Sequence, residues 1–274
     1  MIQRYLAKTA LLLFMSCPVL LVYPGALPLA AADEAGADKV GLEIALEADK
    51  RATGFGNFTA RQTMVLRNKQ GQESRRSLRV KVLEVEGDGD KSLFVFDEPR
   101  DVEGTAFLIH SHKVEADDQW LYLPALKRVK RISSSNRSGS FMGSEFSYED
   151  MGAQVVEKFT YRYLRDEPCG DVTCTVTERV PTDKKSGYSR QLVWRDRDEL
   201  RTWKIEYYDR KDAHLKTLTI AGYEQYLDNY WYADEMTMVN HLTGKSTVLT
   251  WADYQFRTDL DEGDFTRTGL KRVR

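Results

Sequence analysis

The sequence predicts a mainly β fold with some helix: one large antiparallel sheet, curled or barrel-like, of about ten or eleven strands behind an early helix. Three observations carry this. Apolar and polar residues alternate with period two over most of the chain beyond Asn57. Short turn sequences separate these runs at hairpin spacing. A single amphipathic segment of helical period, Asp38 to Arg51, precedes them all.

Residues 1–32 read as a leader. Arg4 and Lys8 form a charged start, Ala10 to Tyr23 an apolar core, and Ala30-Ala31-Ala32 a small-residue cleavage site before Asp33. Pro18 and Pro24 interrupt the apolar run, which falls short of the roughly 20 residues a membrane span needs. Cleavage near Ala32 is therefore expected, and the residues before Cys17 make a poor lipidation box. The remainder, 33–274, is expected to be a single domain. Losing Arg4 and Lys8 takes the formal net charge from −2 to −4. A mildly acidic chain lacks the basic excess that nucleic-acid phosphates require, which excludes a general nucleic-acid binder.

In the helix, Val40, Ile44 and Ala48 recur at i, i+4, i+8, and Leu42, Ala45 and Leu46 widen the stripe. Gly54-Phe55-Gly56 ends it. Alternation then appears at Leu78/Val80/Val82, Phe159/Tyr161/Tyr163, Val172/Cys174/Val176, Trp203/Ile205/Tyr207, Met236/Met238 and Leu249/Trp251. One apolar and one wetted face is the mark of an antiparallel sheet. Turns are expected at Asn68–Gly71, Glu86–Asp90, Asp183–Gly187, Asp209–Asp212 and Thr243–Lys245. Leu93–Phe96 and Thr105–Ile109 are apolar on both faces and need cover on each side. The early helix is expected to supply one cover. A sheet curled around a helix makes an apolar pocket.

Cys169 and Cys174 sit with Pro168, Gly170 and Asp171, all turn formers. In an oxidising compartment they read as a disulfide pinning a hairpin. The zinc alternative lacks a second Cys or His pair nearby. Ser133 to Met151 mixes Ser and Gly with Phe141, Met142, Phe146, Tyr148 and Met151. Disordered linkers are poor in aromatics. The segment is either a mobile flap with apolar contacts to make or a loop whose aromatics plug the core.

No phosphate loop, G-x-S-x-G or H-E-x-x-H occurs, and no cofactor is expected. His110 and His112 would share one strand face, but a metal needs a third ligand, so no metal is expected. Glu86–Asp90 lacks the length of an EF-hand loop and reads as a turn. The run Lys127–Arg131 reads as a solvated strand after a turn at Pro124-Ala125; the alternative is contact with lipid phosphates or an acidic partner.

Four segments occur in order: FDEPRDVEGTAFL from Phe96, QWLYLPALKRVKRI from Gln119, SFMGSEFSYEDM from Ser140 and YQFRTDLDEGDF from Tyr254. Together they resemble the bacterial outer membrane lipoprotein-sorting protein family, relatives of the periplasmic lipoprotein carriers. The resemblance spans the mature chain. It implies an unclosed antiparallel β half-barrel with helices covering the concave face. It also implies a non-enzymatic periplasmic carrier for lipoprotein acyl chains or another lipid, delivering toward the outer membrane. Its partners would be that lipid, an inner-membrane transporter and an outer-membrane acceptor. The alternative is a sensor, or an accessory of an exporter of the resistance-nodulation-division type, using the fold for protein recognition. The long Ser/Gly-Phe segment and the Trp-rich strands depart from the lipoprotein carriers, so no cargo residue carries over. The residues themselves nominate Trp120 and Tyr122 beside the flap, and Phe141, Met142, Phe146 and Tyr148 within it, as the ligand contacts.

Overall fold

Period-two alternation is realised as thirteen strands, more than the ten or eleven expected. The computed structural model describes residues 29–273, and the predicted leader falls almost wholly outside them. Helix α1 (Leu29–Ala52) leads into β1 (Asn57–Arg67), β2 (Glu73–Leu83), β3 (Lys91–Glu98), β4 (Ala106–His110), β5 (Asp118–Leu123) and β6 (Arg128–Arg131). After the connection 132–158 come β7 (Phe159–Cys169), β8 (Val172–Pro181), β9 (Tyr188–Asp196), β10 (Thr202–Asp209), β11 (His214–Tyr226), β12 (Tyr230–Asn240) and β13 (Ser246–Phe256). The short β6 holds the basic run, whose charges hide any alternation. All five predicted turns join neighbouring strands.

Every pairing is antiparallel, in the order β6-β5-β4-β3-β2-β1-β13-β12-β11-β10-β9-β8-β7. Two meanders are thus stitched together by β1 and β13. Register shifts in β1/β13, β2/β3, β7/β8, β9/β10 and β10/β11 bend the strands and raise the twist. The ends of the sheet stay unpaired, so it is an unclosed half-barrel. β6 and β7 lie on opposite edges, and residues 132–158 therefore cross one face. On that face Met64, Leu78, Phe94 and Phe107 of the first meander share a core with Val193, Ile205, Leu218 and Met238 of the second. Side chains of both halves meet only where the sheet is concave.

The doubly apolar strands β3 and β4 are buried on both sides, as their composition requires. Their covers differ from the expected one. Phe94, Phe96, Phe107 and Ile109 meet the crossing segment. Leu93, Val95, Ala106 and Leu108 meet the C-terminal tail through Phe265 and Leu270, each 1% exposed. The His110 Nε2 lies 2.7 Å from the Phe265 carbonyl and pins the tail.

α1 does not cover β3 and β4; it packs on the far edge strand β7. Gly41 makes this possible, because a Cβ there would stand 2.7 Å from the Arg162 carbonyl carbon and the Tyr163 nitrogen. Ala45, one turn on, packs against Val156 and Tyr161. The disulfide Cys169–Cys174 closes the β7–β8 hairpin with Cα atoms 5.7 Å apart. Cys174 is fully buried on the convex face beside Val176, Leu192 and Trp194.

Candidate ligand-binding site

The segment Ser133–Met151 plugs one end of the concave face. Phe141 is fully buried, with its ring centroid 5.0 Å from Phe107, 6.0 Å from Phe96 and 5.6 Å from Tyr148. Both halves of the sheet grip the segment's backbone. Arg76 of β2 donates to the Met142 carbonyl and Gln119 of β5 to the Tyr148 carbonyl at 2.9 Å. From the other half, Lys216 of β11 donates to the Glu145 carbonyl at 2.9 Å, and the Glu145 amide donates to Thr247 of β13 at 3.0 Å.

An ion pair locks this arrangement. Lys216 Nζ lies 2.6 Å from Asp150, with side chains only 4% and 5% exposed. Asp150 also accepts from the Ser147 amide at 2.6 Å and the Tyr188 hydroxyl at 2.9 Å. Charges this deep persist only when paired and hydrogen-bonded.

The six nominated residues separate into two groups. Phe141, Met142, Phe146 and Tyr148 sit in the concave core. Trp120 and Tyr122 alternate to the convex face, where they pack with Leu93, Leu108 and the tail, and Trp120 lies edge-on to His110. The sheet separates the two groups. His110 and His112 also diverge: His112 Nδ1 pairs with Asp88 at 2.8 Å while His110 holds the tail. Among the described residues no cluster has the makings of a metal site.

Beside the plug a cavity of about 820 Å³ opens between the end of α1, the start of β1, the β2–β3 turn, residues 151–157 and the start of β12. Such a volume is within the range of small-molecule sites. Phe55, Phe58, Val82, Met151, Trp231, Tyr232 and Met236 supply apolar wall, and none of the six nominated residues lines it. Gly54 and Gly56 set this wall. Both take positive φ, +104° and +83°, and a Cβ on Gly54 would stand 2.7 Å from the Tyr230 hydroxyl. Their amides donate to Glu84 at 2.6 and 2.7 Å, which fixes the turn and presents Phe55. Phe55 and Phe58 open an aromatic cluster that runs through Tyr232, Tyr254 and Phe256, with neighbouring centroids 5.3 to 5.8 Å from Phe58. Asp90 lies in the same wall, its carboxyl pushed up to about 6 by burial and by nearby Glu84. A second hollow of about 830 Å³ under the tail is lined by charged groups such as Arg61, Arg79 and Lys81. Each of these three pairs with an acid, Asp253, Asp97 or Asp264.

Sequence reasoning missed the aromatic wall. Its signal was the density of Tyr223, Tyr226, Tyr230, Trp231 and Tyr232 around one hairpin, together with Gly-Phe-Gly at the helix end.

A family model described only as uncharacterized protein matches residues 88–272. The crystal structure of an outer membrane lipoprotein-sorting protein domain from Vibrio parahaemolyticus is 56% identical, with a TM-score of 0.85 over 86% of this chain and 100% of that one. The chain belongs to the outer membrane lipoprotein-sorting protein family. A DUF1329 family protein from Desulfovibrio piger is 31% identical to this sorting-family chain, with a TM-score of 0.81 over 85% of it and 99% of the relative. A LolA superfamily protein from Nitrosomonas europaea, 21% identical with a TM-score of 0.67 over 83% and 98% of the two chains, shares the fold. Among curated proteins none matches the chain.

Proposed function

We propose that this sorting-family chain is a non-enzymatic periplasmic carrier that holds a lipoprotein acyl chain, or another lipid, and delivers it toward the outer membrane. The observation that carries this reading is the aromatic-walled cavity of about 820 Å³ at the open end of the concave face. Burying a hydrocarbon chain there gains about 0.8 kcal/mol per CH2, so affinity needs little polar chemistry. The name of the Vibrio relative supports the same reading. Export by the leader would place the chain where such cargo travels.

In this reading Phe58, Trp231, Tyr232 and Met236 face the cargo. The plug residues Phe141, Met142, Phe146 and Tyr148 fill the neighbouring concave core and do not line the hollow. Native mass spectrometry of protein purified from its host periplasm tests the reading. The expected result is a co-purifying lipid mass on the wild type that is lost from Met236→Asp, with the circular dichroism of the two proteins alike. A wild type that is always empty, and that also fails to bind a fluorescent fatty-acid probe, would sink it.

A further inference from the structure

Beside the aromatic cavity lies a second chamber of about 430 Å³, between α1 and strands β7 to β12. The two share Asp49, Ala52, Gln154, Val156 and Trp231, so the chambers adjoin. The small side chains Ala45, Ala48 and Ala52 of α1 leave the room for it. Its wall differs in kind from that of its neighbour, because Arg179 of β8 and Arg195 of β9 both line it.

These guanidinium groups lack what buried charges ordinarily have. Arg179 is only 3% exposed; its Nε donates to the Gln191 amide oxygen at 2.7 Å and its plane lies 4.6 Å from the Phe159 ring centroid. Arg195 is partly buried, and its Nη1 is enclosed without a hydrogen-bond partner. Among the described residues no carboxylate pairs with either. Burial lowers the pKa of both, and Arg179 lowers that of Arg195 further by like-charge repulsion. The acids of the chamber are engaged elsewhere or disfavoured as anions. Glu199 accepts from the Trp231 indole at 3.1 Å, and the Asp49 carboxyl is pushed up by burial, then by Glu157 and Glu84. The other two arginines there are spoken for: Arg201 binds Asp196 at 2.8 Å, and Arg51 binds Glu47 at 3.0 Å. Two neighbouring guanidinium groups enclosed without a counter-charge are costly to fold. A ligand anion is what completes such a pair, since guanidinium donors match phosphate and carboxylate oxygens.

We propose that Arg179 and Arg195 bind the phosphate or carboxylate group of the ligand, whose apolar part occupies the adjoining aromatic cavity. The inference rests on the carrier reading for the apolar part; the anion site stands on the arginines themselves. The shared chemistry is an oxyanion, and its source is either a lipid headgroup or a free anion.

Binding is measured by calorimetry on the full mature chain with three probes: phosphatidic acid with eight-carbon chains, diacylglycerol with the same chains, and inorganic phosphate. The expected result is that Arg179→Gln and Arg195→Gln each weaken phosphatidic acid about tenfold to a hundredfold, the worth of a charged hydrogen bond. Diacylglycerol should bind both variants as it binds the wild type. Phosphate that binds as tightly as phosphatidic acid, and is lost in the variants, would keep the anion site and assign it to a free anion. Diacylglycerol and phosphatidic acid binding equally to wild type and variants would overturn the anion site and leave the carrier standing. Failure of both lipids while phosphate binds would remove the carrier alone. A thermal melt without ligand guards against a merely structural role. Arg195→Gln should melt no lower than the wild type, and a large fall would overturn the proposal.

Discussion

Asp90 shows what it costs to wall a cavity with an acid. Burial and Glu84 raise its pKa from 3.8 to about 6. The folded chain therefore holds this proton more tightly than the unfolded one. Its penalty is absent below about pH 4, grows as pH rises toward 6, and is complete above that. Asp90→Asn should stabilise the protein by about 2 kcal/mol at pH 8, allowing for partial exposure, and by nothing at pH 4. Urea unfolding at both pH values measures this, and equal gains at both would refute it. Lys216 shows the opposite economy. Lys216→Met strands Asp150 in the core and should cost about 3–5 kcal/mol in the same assay. Neither role was legible in the sequence. Lys216 occupies what looks like an ordinary polar position of β11, and its partner lies 66 residues away. Arg179 and Arg195 likewise read as the wetted members of alternating strands. Period two tells the faces of a strand apart, but a polar residue can point inward whenever a cavity or a counter-charge receives it.

Helix α1 marks the limit of pattern reading for an element. Its type was legible from residues 38–51, and it is helical there. Its buried face was legible only in part, through Ala45. The predicted stripe included Val40, Leu42 and Leu46, which are 41%, 42% and 50% exposed. The face turned inward holds Gly41 and Ala45, because only small residues let a helix rest directly on the backbone of β7. Gly41→Ala therefore breaks the usual rule. In an exposed helix the change gains nearly 1 kcal/mol. Here the new Cβ meets backbone atoms at 2.7 Å, and the thermal midpoint should fall. A raised midpoint would mean that α1 is free to lift from β7. For the segment 133–151 the sequence allows a mobile flap or a loop whose aromatics plug the core, and the structure is the plug. Its Ser and Gly residues suggest a loop, and loop it is. Its aromatics decide that it lies inside, and the Arg76, Gln119 and Lys216 contacts that hold it there come from strands far along the chain.

At the scale of the molecule the antiparallel sheet was readable from alternation and turns, and its unclosed shape from family resemblance. The crossing from β6 to β7 was not readable, since nothing local says that consecutive strands occupy opposite edges. The two edges are protected differently. β6 exposes Arg128, Lys130 and Arg131, which discourage pairing with another chain, and α1 packs on β7. Because the plug binds both meanders, the sheet should melt as one unit. The five tryptophans lie at Trp120, Trp194, Trp203, Trp231 and Trp251, in both meanders. Their fluorescence and the far-ultraviolet dichroism should give coincident transitions in urea, and separated midpoints would show the halves unfolding independently. The seam between β1 and β13 also sets a timetable. Asn57 bonds to Thr258 across a separation of 201 residues. A chain made from its N-terminus therefore carries β1 with one bare edge until β13, far along the chain, appears. Closing so distant a contact is slow, and the waiting chain shows greasy surface to its surroundings. The nascent protein is thus most in need of a guardian just before β13 arrives.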